Sequence, residues 1–201
     1  DSAVSPDILH LEVGQPDFST PEPVIRAAVE AANNKNGLYT KYTPNLGYAS
    51  LRKSLVKKLK EDNKIQTAES QILVTPGSNY GIMIALSVLL NKGDEVLVPD
   101  PGYVNYASLP PQYAAVVCRY PLYAHDGFVP KIEAIADRIT PHTKVIVHNS
   151  PSNPTGAVCS ESFVKELVEI ARSHQLYILS DEAYEHIVFD GSHFSPARYD
   201  T

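Results

Sequence analysis

The feature that most constrains this chain is a series of short apolar runs separated by segments long enough for a helix. The runs are DEVLVPD (94–100), AAVVCRYPL (114–122), TKVIVHNSP (143–151) and LYILSDEAY (176–184). Val, Ile and Leu in sequence, without polar alternation, suit strands covered on both faces, as in a parallel sheet. The segments KIEAIADRI (131–139) and ESFVKELVEIARSHQ (161–175) have the spacing of amphipathic helices. Strands alternating with helices make βαβ units, so the expected fold is α/β: a mainly parallel sheet with helices on both faces. Two more strands are expected, at ILHLEVG (8–14) and at QILVTPG (71–77), the latter running into a helix over 78–91. Further helices are expected over 21–34, with proline in the first turn, over 45–63, and briefly after Pro101. In the 45–63 helix, Leu51, Leu55 and Leu59 share one face among lysines.

No internal repeat or low-complexity tract interrupts the pattern. The expected organisation is an N-terminal arm or substrate-side segment, 1–45, followed by a layered domain, 46–201. A net charge of −6 argues against a nucleic-acid surface or an anionic membrane as partner. No apolar run reaches bilayer length, and the first residues show no basic-then-apolar secretory pattern. Cys118 and Cys159 form no CxxC and are read as packing residues of a reducing, cytoplasmic compartment. No histidine pair has metal-ligand spacing on a helix, so no metal is expected.

In open α/β sheets, ligands bind beyond the carboxyl ends of the strands. The residues there are unusually polar and aromatic. Gly77, Ser78 and Asn79 open a helix, where free N–H groups and the helix dipole favour an anion. The same residues also suit a plain helix cap. Asp181 follows an apolar strand and needs a cationic or hydrogen-bonding partner if buried. Tyr184 lies three residues on. Tyr103, in PDPGYVNY, suits a stacking platform as well as a core position. Asn153, in NSPSNPTG (149–156), suits a ligand contact as well as an Asx turn. Together they point to a flat, phosphorylated aromatic ligand with a basic ring nitrogen.

The chain resembles the fold-type I pyridoxal-phosphate enzymes, and among them the class I and II aminotransferases related to aspartate aminotransferase. The resemblance is carried by LEVGQPDFSTP (11–21), YTPNLGYASLR (42–52), VTPGSN (74–79), PDPGYVNY (99–106), NSPSNPTG (149–156) and SDEAYEHIVFDG (180–191). It implies the cofactor pyridoxal 5'-phosphate and transfer of an amino group between an amino acid and a 2-oxo acid. By the same resemblance, Asp181 pairs with the pyridinium nitrogen. Asn153 and Tyr184 hydrogen-bond the ring's 3-oxygen, Tyr103 stacks on the ring, and Gly77, Ser78 and Asn79 form the phosphate cup. Tyr42 reaches the phosphate of a partner subunit, which implies a homodimer, and Gly14 lines the pocket for the substrate carboxylate. Pro76 stands where many relatives have glycine.

The resemblance also implies a Schiff-base lysine, a phosphate-binding arginine and a small C-terminal domain. None of these has a match within the 201 residues. Lys53, Lys57, Lys58 and Lys60 fall on one helix read as solvated, and Lys131, Lys144 and Lys165 fall at element starts away from the strand ends. The expectation is a large-domain fragment that does not transaminate by itself, since a sheet ending here would leave an unpaired edge. Alternatives on the same fold are a C–S or β-eliminating lyase, or a cyclopropane-forming synthase. A non-catalytic, aminotransferase-like sensor module is a further alternative, but no winged-helix segment or basic patch accompanies it.

Overall fold

The computed structural model describes residues 18–200. The expected strand at 8–14 and Gly14 lie outside the described residues. Two compact units divide the chain, residues 1–44 and 45–201.

The described part of the first unit holds helix α1 (Glu22–Ala32) and a 3-10 turn at Leu38–Thr40. Proline stands in the first turn of α1, where a missing N–H costs nothing, and Glu22 sits favourably near the positive end of the helix.

The second unit contains four parallel strands: β1 (Glu95–Asp100), β2 (Val116–Pro121), β3 (Thr143–Asn149) and β4 (Tyr177–Asp181). Their order in the sheet is β2-β1-β3-β4. Helices α2 (Ala49–Glu61), α3 (Ser78–Leu89), α4 (Val104–Ser108), α5 (Ile132–Ala136) and α6 (Glu161–Ser173) complete the unit. The chain steps from β1 outward to β2, then returns past β1 to β3 and β4. The direction of winding therefore reverses between β1 and β3, and a crevice at the carboxyl edge opens at such a point.

Side chains alternate across the two central strands. Val96 and Val98 of β1 and Val145 and Val147 of β3 pack with Ile82 and Leu86 of α3 on one face. Leu97 and Ile146 pack with Ile135 of α5 and Phe163, Val164 and Leu167 of α6 on the other. Both faces are therefore covered, which is why β1 and β3 read as unbroken apolar runs. The outer strands β2 and β4 are only partly buried. Helix α6 starts cleanly because the Ser160 hydroxyl accepts from the Phe163 N–H at 3.3 Å.

Two expectations are corrected. The segment 71–77 is not a strand: Ile72 is extended, at φ −110° and ψ 125°, but no ladder partner lies beside it among the described residues. Its Val74 N–H bonds instead to the Leu46 carbonyl at 3.2 Å. The helix expected from 45 begins at Ala49, because Gly47 has φ +89° and ends any helical path before it. On that helix none of Leu51, Leu55 and Leu59 is buried, Leu51 being exposed.

Candidate functional site

Four pieces of backbone deliver polar and aromatic groups to the carboxyl edge of the sheet. They are the start of α3, the β1–α4 turn, the β3–α6 loop and the turn after β4. A continuous series of contacts links them. Asn79, in the first turn of α3, accepts at Oδ1 from Asn105 Nδ2 at 2.6 Å. Asn105 also donates to the Tyr103 hydroxyl at 3.2 Å. The Tyr103 ring meets the Tyr106 ring edge to face, 5.5 Å between centroids. The Tyr106 hydroxyl donates to Asp181 Oδ2 at 2.8 Å. Asn149 Nδ2 donates to the Asp181 carbonyl at 3.0 Å, and Asn149 Oδ1 accepts from the Asn153 N–H at 2.7 Å.

Asn79, Tyr103, Asp181 and Asn153 were expected from the sequence; Asn105, Tyr106 and Asn149, which join them, were not. Tyr106 follows Tyr103 by three residues, the spacing that puts both on one side of a helical turn. Asn149 ends β3 directly opposite Asp181 in the register. Both lay inside the stretches PDPGYVNY and NSPSNPTG, but only their distant partners reveal what they do.

The start of α3 has the form of an open cradle. Gly77 precedes the helix with φ +88°, and a Cβ built there would meet nothing within 4 Å. Ser78 is exposed beside it. The Thr75 hydroxyl donates to the Gly77 carbonyl at 2.9 Å, which ties the turn together. The leading N–H groups of a helix have no partners within it, so an anion is favoured here.

Asp181 is half-buried at the end of β4. The Ala183 N–H donates to its Oδ1 at 3.2 Å, so each carboxylate oxygen has one donor. Burial, then the neighbouring Asp181 charge, pushes the Tyr106 phenol far above its ordinary range, so this hydroxyl stays a donor.

The turn after β4 is anchored at two points. Glu182 accepts from Ser180 and Ser195 at 2.7 and 2.8 Å and lies 2.8 Å from His193 Nε2. Burial works to raise the Glu182 carboxyl, but the bonds from His193, Ser180 and Ser195 prevail and hold it low. Glu185 is bound by Lys58 and Asn63 of the α2 region and is likewise held low against its burial. Lys58 is therefore not the solvated lysine expected; its ammonium is committed to Glu185. Between these anchors sits Tyr184, half-exposed and outside the contact series. Donor atoms of Glu182, Glu185 and His193 lie within 4.8 Å of one another, but the two carboxylates already hold the partners named.

The Asn153 loop closes on itself, with Gly156 N–H donating to the Ser152 carbonyl at 2.8 Å and Ser152 N–H to the Ala157 carbonyl at 2.9 Å. Gly156 has φ +74°, a conformation that glycine adopts without strain. Tyr42 belongs to the first unit and is fully exposed. Among the described residues no helix is long and apolar enough to cross a membrane.

Comparison with known proteins extends this geometry. Residues 6–200 match the family described as aminotransferase class I and II. The chain is 39% identical over 193 residues to the aspartate/prephenate aminotransferase of Thermus thermophilus, covering 96% of this chain and 49% of that relative. It is 38% identical over 193 residues to a probable aspartate aminotransferase of Methanocaldococcus jannaschii, covering 96% and 50%. Among solved structures, the aromatic aminotransferase of Pyrococcus horikoshii superposes with a TM-score of 0.88 at 36% identity, covering 92% of this chain and 50% of that one. The chain thus spans about half the length of the relatives it matches.

Proposed function

We propose that this chain, which belongs to the aminotransferase class I and II family, binds pyridoxal 5'-phosphate and serves the transfer of an amino group between an amino acid and a 2-oxo acid. The observation that carries the reading is the unbroken contact series from Asn79 to Asn153. It joins an anion-favouring helix start, an aromatic ring and a half-buried carboxylate. Those are the features a phosphorylated pyridine needs.

The fit is supported group by group. The open side of Gly77, with Ser78 and Asn79, suits a phosphate. Tyr103 suits a ring face. Asp181 suits the ring nitrogen, and Asn153 with Tyr184 suits the ring oxygen. When bound, the cofactor supplies an electron-withdrawing ring that takes up the charge left by a departing α-proton. Asp181 holds a proton at the ring nitrogen and so keeps that ring electron-poor. Tyr106 and the Ala183 N–H hold the Asp181 carboxylate in place. The first turn of α3 neutralises phosphate charge through its free N–H groups. No lysine takes part in the contact series, so covalent anchoring and proton shuttling are assigned to none of these residues.

The finer points of the reading rest on the resemblance. Tyr42, fully exposed, is the side chain proposed to reach the phosphate site of a second copy in a homodimer. Gly14 is proposed to line the substrate-carboxylate pocket. The free thiols of Cys118 and Cys159 accord with a cytoplasmic setting.

The test is binding by this chain, and transfer by the longer enzyme of which it is proposed to form the large domain. Pyridoxamine 5'-phosphate, which has no aldehyde to react with stray lysines, is titrated calorimetrically. Transfer is then followed as glutamate formed from 2-oxoglutarate and an aspartate or aromatic donor. Asp181→Ala should weaken binding about tenfold or more. Absence of binding, or equal binding by the variant, would refute the reading. Free ammonia in place of glutamate would move it to elimination chemistry.

A further inference from the structure

The ladder between β3 and β4 ends at the pair Asn149 and Asp181. Past that rung, one small ring must meet groups from both segments: Asp181 at its nitrogen and Asn153 at its oxygen. Asn153 lies four positions beyond the last rung. Pro151 and Pro154 in that stretch have no N–H to offer, and the Ser152 N–H turns back to the Ala157 carbonyl. A side chain carries the connection instead. Asn149 Nδ2 donates to the Asp181 carbonyl at 3.0 Å and to the Pro151 carbonyl at 3.3 Å, and Oδ1 accepts from the Asn153 N–H at 2.7 Å. All three partners are backbone groups with one role each: a carbonyl accepts and an N–H donates. Only one orientation of the Asn149 amide satisfies them. The reversed one sets oxygen against oxygen and donor against donor. Asn149 is 8% exposed, so bulk water does not replace a bond lost there.

The two ends of this link are not held alike. Asp181 is fixed independently, its backbone by the ladder and its carboxylate by the Tyr106 hydroxyl and the Ala183 N–H. The Asn153 N–H bonds to Asn149 itself. We infer that Asn149 is a positioning residue for the ring-oxygen contact: it carries the position of the end of β4 across to Asn153 and so sets the spacing between the group that meets the ring oxygen and the carboxylate that meets the ring nitrogen. The inference rests on the proposed reading of Asn153 and Asp181 as those two contacts. Its signature is one-sided. Loss of the link frees Asn153 and leaves Asp181 where it is.

The experiment measures a ratio. Pyridoxamine 5'-phosphate and its 3-deoxy analogue, which differ only in the ring oxygen, are each titrated calorimetrically into this chain. The unsubstituted chain should prefer the ligand that has the oxygen. Asn149→Ala should cut that preference about tenfold. The pKa of the bound ring nitrogen, read from ligand absorbance across pH, should stay unchanged. The double variant Asn153→Ala with Asn149→Ala should lose no more of the preference than Asn153→Ala alone, because Asn149 acts through Asn153. Thermal melting checks that each variant folds, and Asn149→Leu, close in shape, carries the test if the alanine variant does not. A merely looser fold would weaken both ligands equally and leave the ratio intact, and that result overturns the inference. Losses that multiply in the double variant also overturn it, as does a fall in the pKa of the bound nitrogen, which would move the role to Asp181. Equal binding of the two ligands by the unsubstituted chain overturns the ring-oxygen reading, and this inference with it. Absence of binding overturns the cofactor reading itself.

Discussion

Lowering the pH from 7 to 5 should destabilise this chain through one buried side chain, His148. It lies in β3 at 1% exposure, its ring 6.1 Å from that of Phe163, with Nε2 unpartnered. Burial pushes its pKa down from 6.5 to about 4, with the Glu182 charge opposing and His193 reinforcing the shift. In the unfolded chain the imidazole takes up a proton near 6.5, whereas in the fold it stays neutral down to about 4. The unfolded state binds more protons across that window, so stability falls as the pH drops through it. Linkage between pH 7 and pH 5 gives a loss of about 2 kcal/mol. That corresponds to roughly 1 M off the midpoint of urea unfolding. Glu182 and Glu185, held below their ordinary 4.5, contribute only at lower pH, and comparison with a variant lacking the imidazole isolates the share of His148. The assay is urea unfolding followed by circular dichroism at pH 7, 6 and 5, for the chain and for His148→Leu. The variant should lose about 2 kcal/mol of pH dependence, whatever its stability at pH 7. His148→Gln serves if the leucine variant does not fold. An equal pH dependence in chain and variant would refute the reasoning.

Three further outcomes are expected. Tyr106→Phe removes the donor from Asp181 Oδ2 and should cost about 1–2 kcal/mol, read as a Tm several degrees lower; an unchanged Tm would mean the bond carries no weight. Leu167→Ala opens a hole under the sheet at a fully buried position of α6 and should cost about 3 kcal/mol in urea unfolding, with a loss below 1 kcal/mol counting against the packing described. Gly102→Ala places a Cβ 2.5 Å from the Pro99 carbonyl oxygen, so the turn before Tyr103 must shift. A loss of about 1–3 kcal/mol together with weaker pyridoxamine phosphate binding is expected, and a variant equal to the parent in both would show the turn to be pliable.

The central strands were legible because burial on two faces leaves a mark in the sequence itself: the middles of β1 and β3, Val96–Val98 and Val145–Val147, are apolar on both sides. The 71–77 segment carries a similar apolar mark but is not a strand, because pairing depends on a neighbour and not on the segment. The same division runs through the site. Asp181, Asn153 and Tyr103 stand out as polar or aromatic residues just past apolar runs. Asn105, Tyr106 and Asn149 stand next to them in sequence, yet their roles lie in contacts to Asn79, Asp181 and the Asn153 backbone. Tyr106 is core, at 2% exposure, and only the last atom of its side chain is otherwise engaged. Lys58 was misread for the same reason, since its partner Glu185 lies far along the chain.

The parallel pairing of all four strands has a consequence in time. A parallel neighbour cannot be reached by a tight hairpin, so every rung of this sheet closes a long loop before it returns any stabilisation. The groups at the carboxyl edge, from residue 79 to residue 181, meet only when those loops have closed. During refolding, secondary structure should therefore appear well before the chain can hold its ligand, and ligand capture should report the arrival of the last crossover.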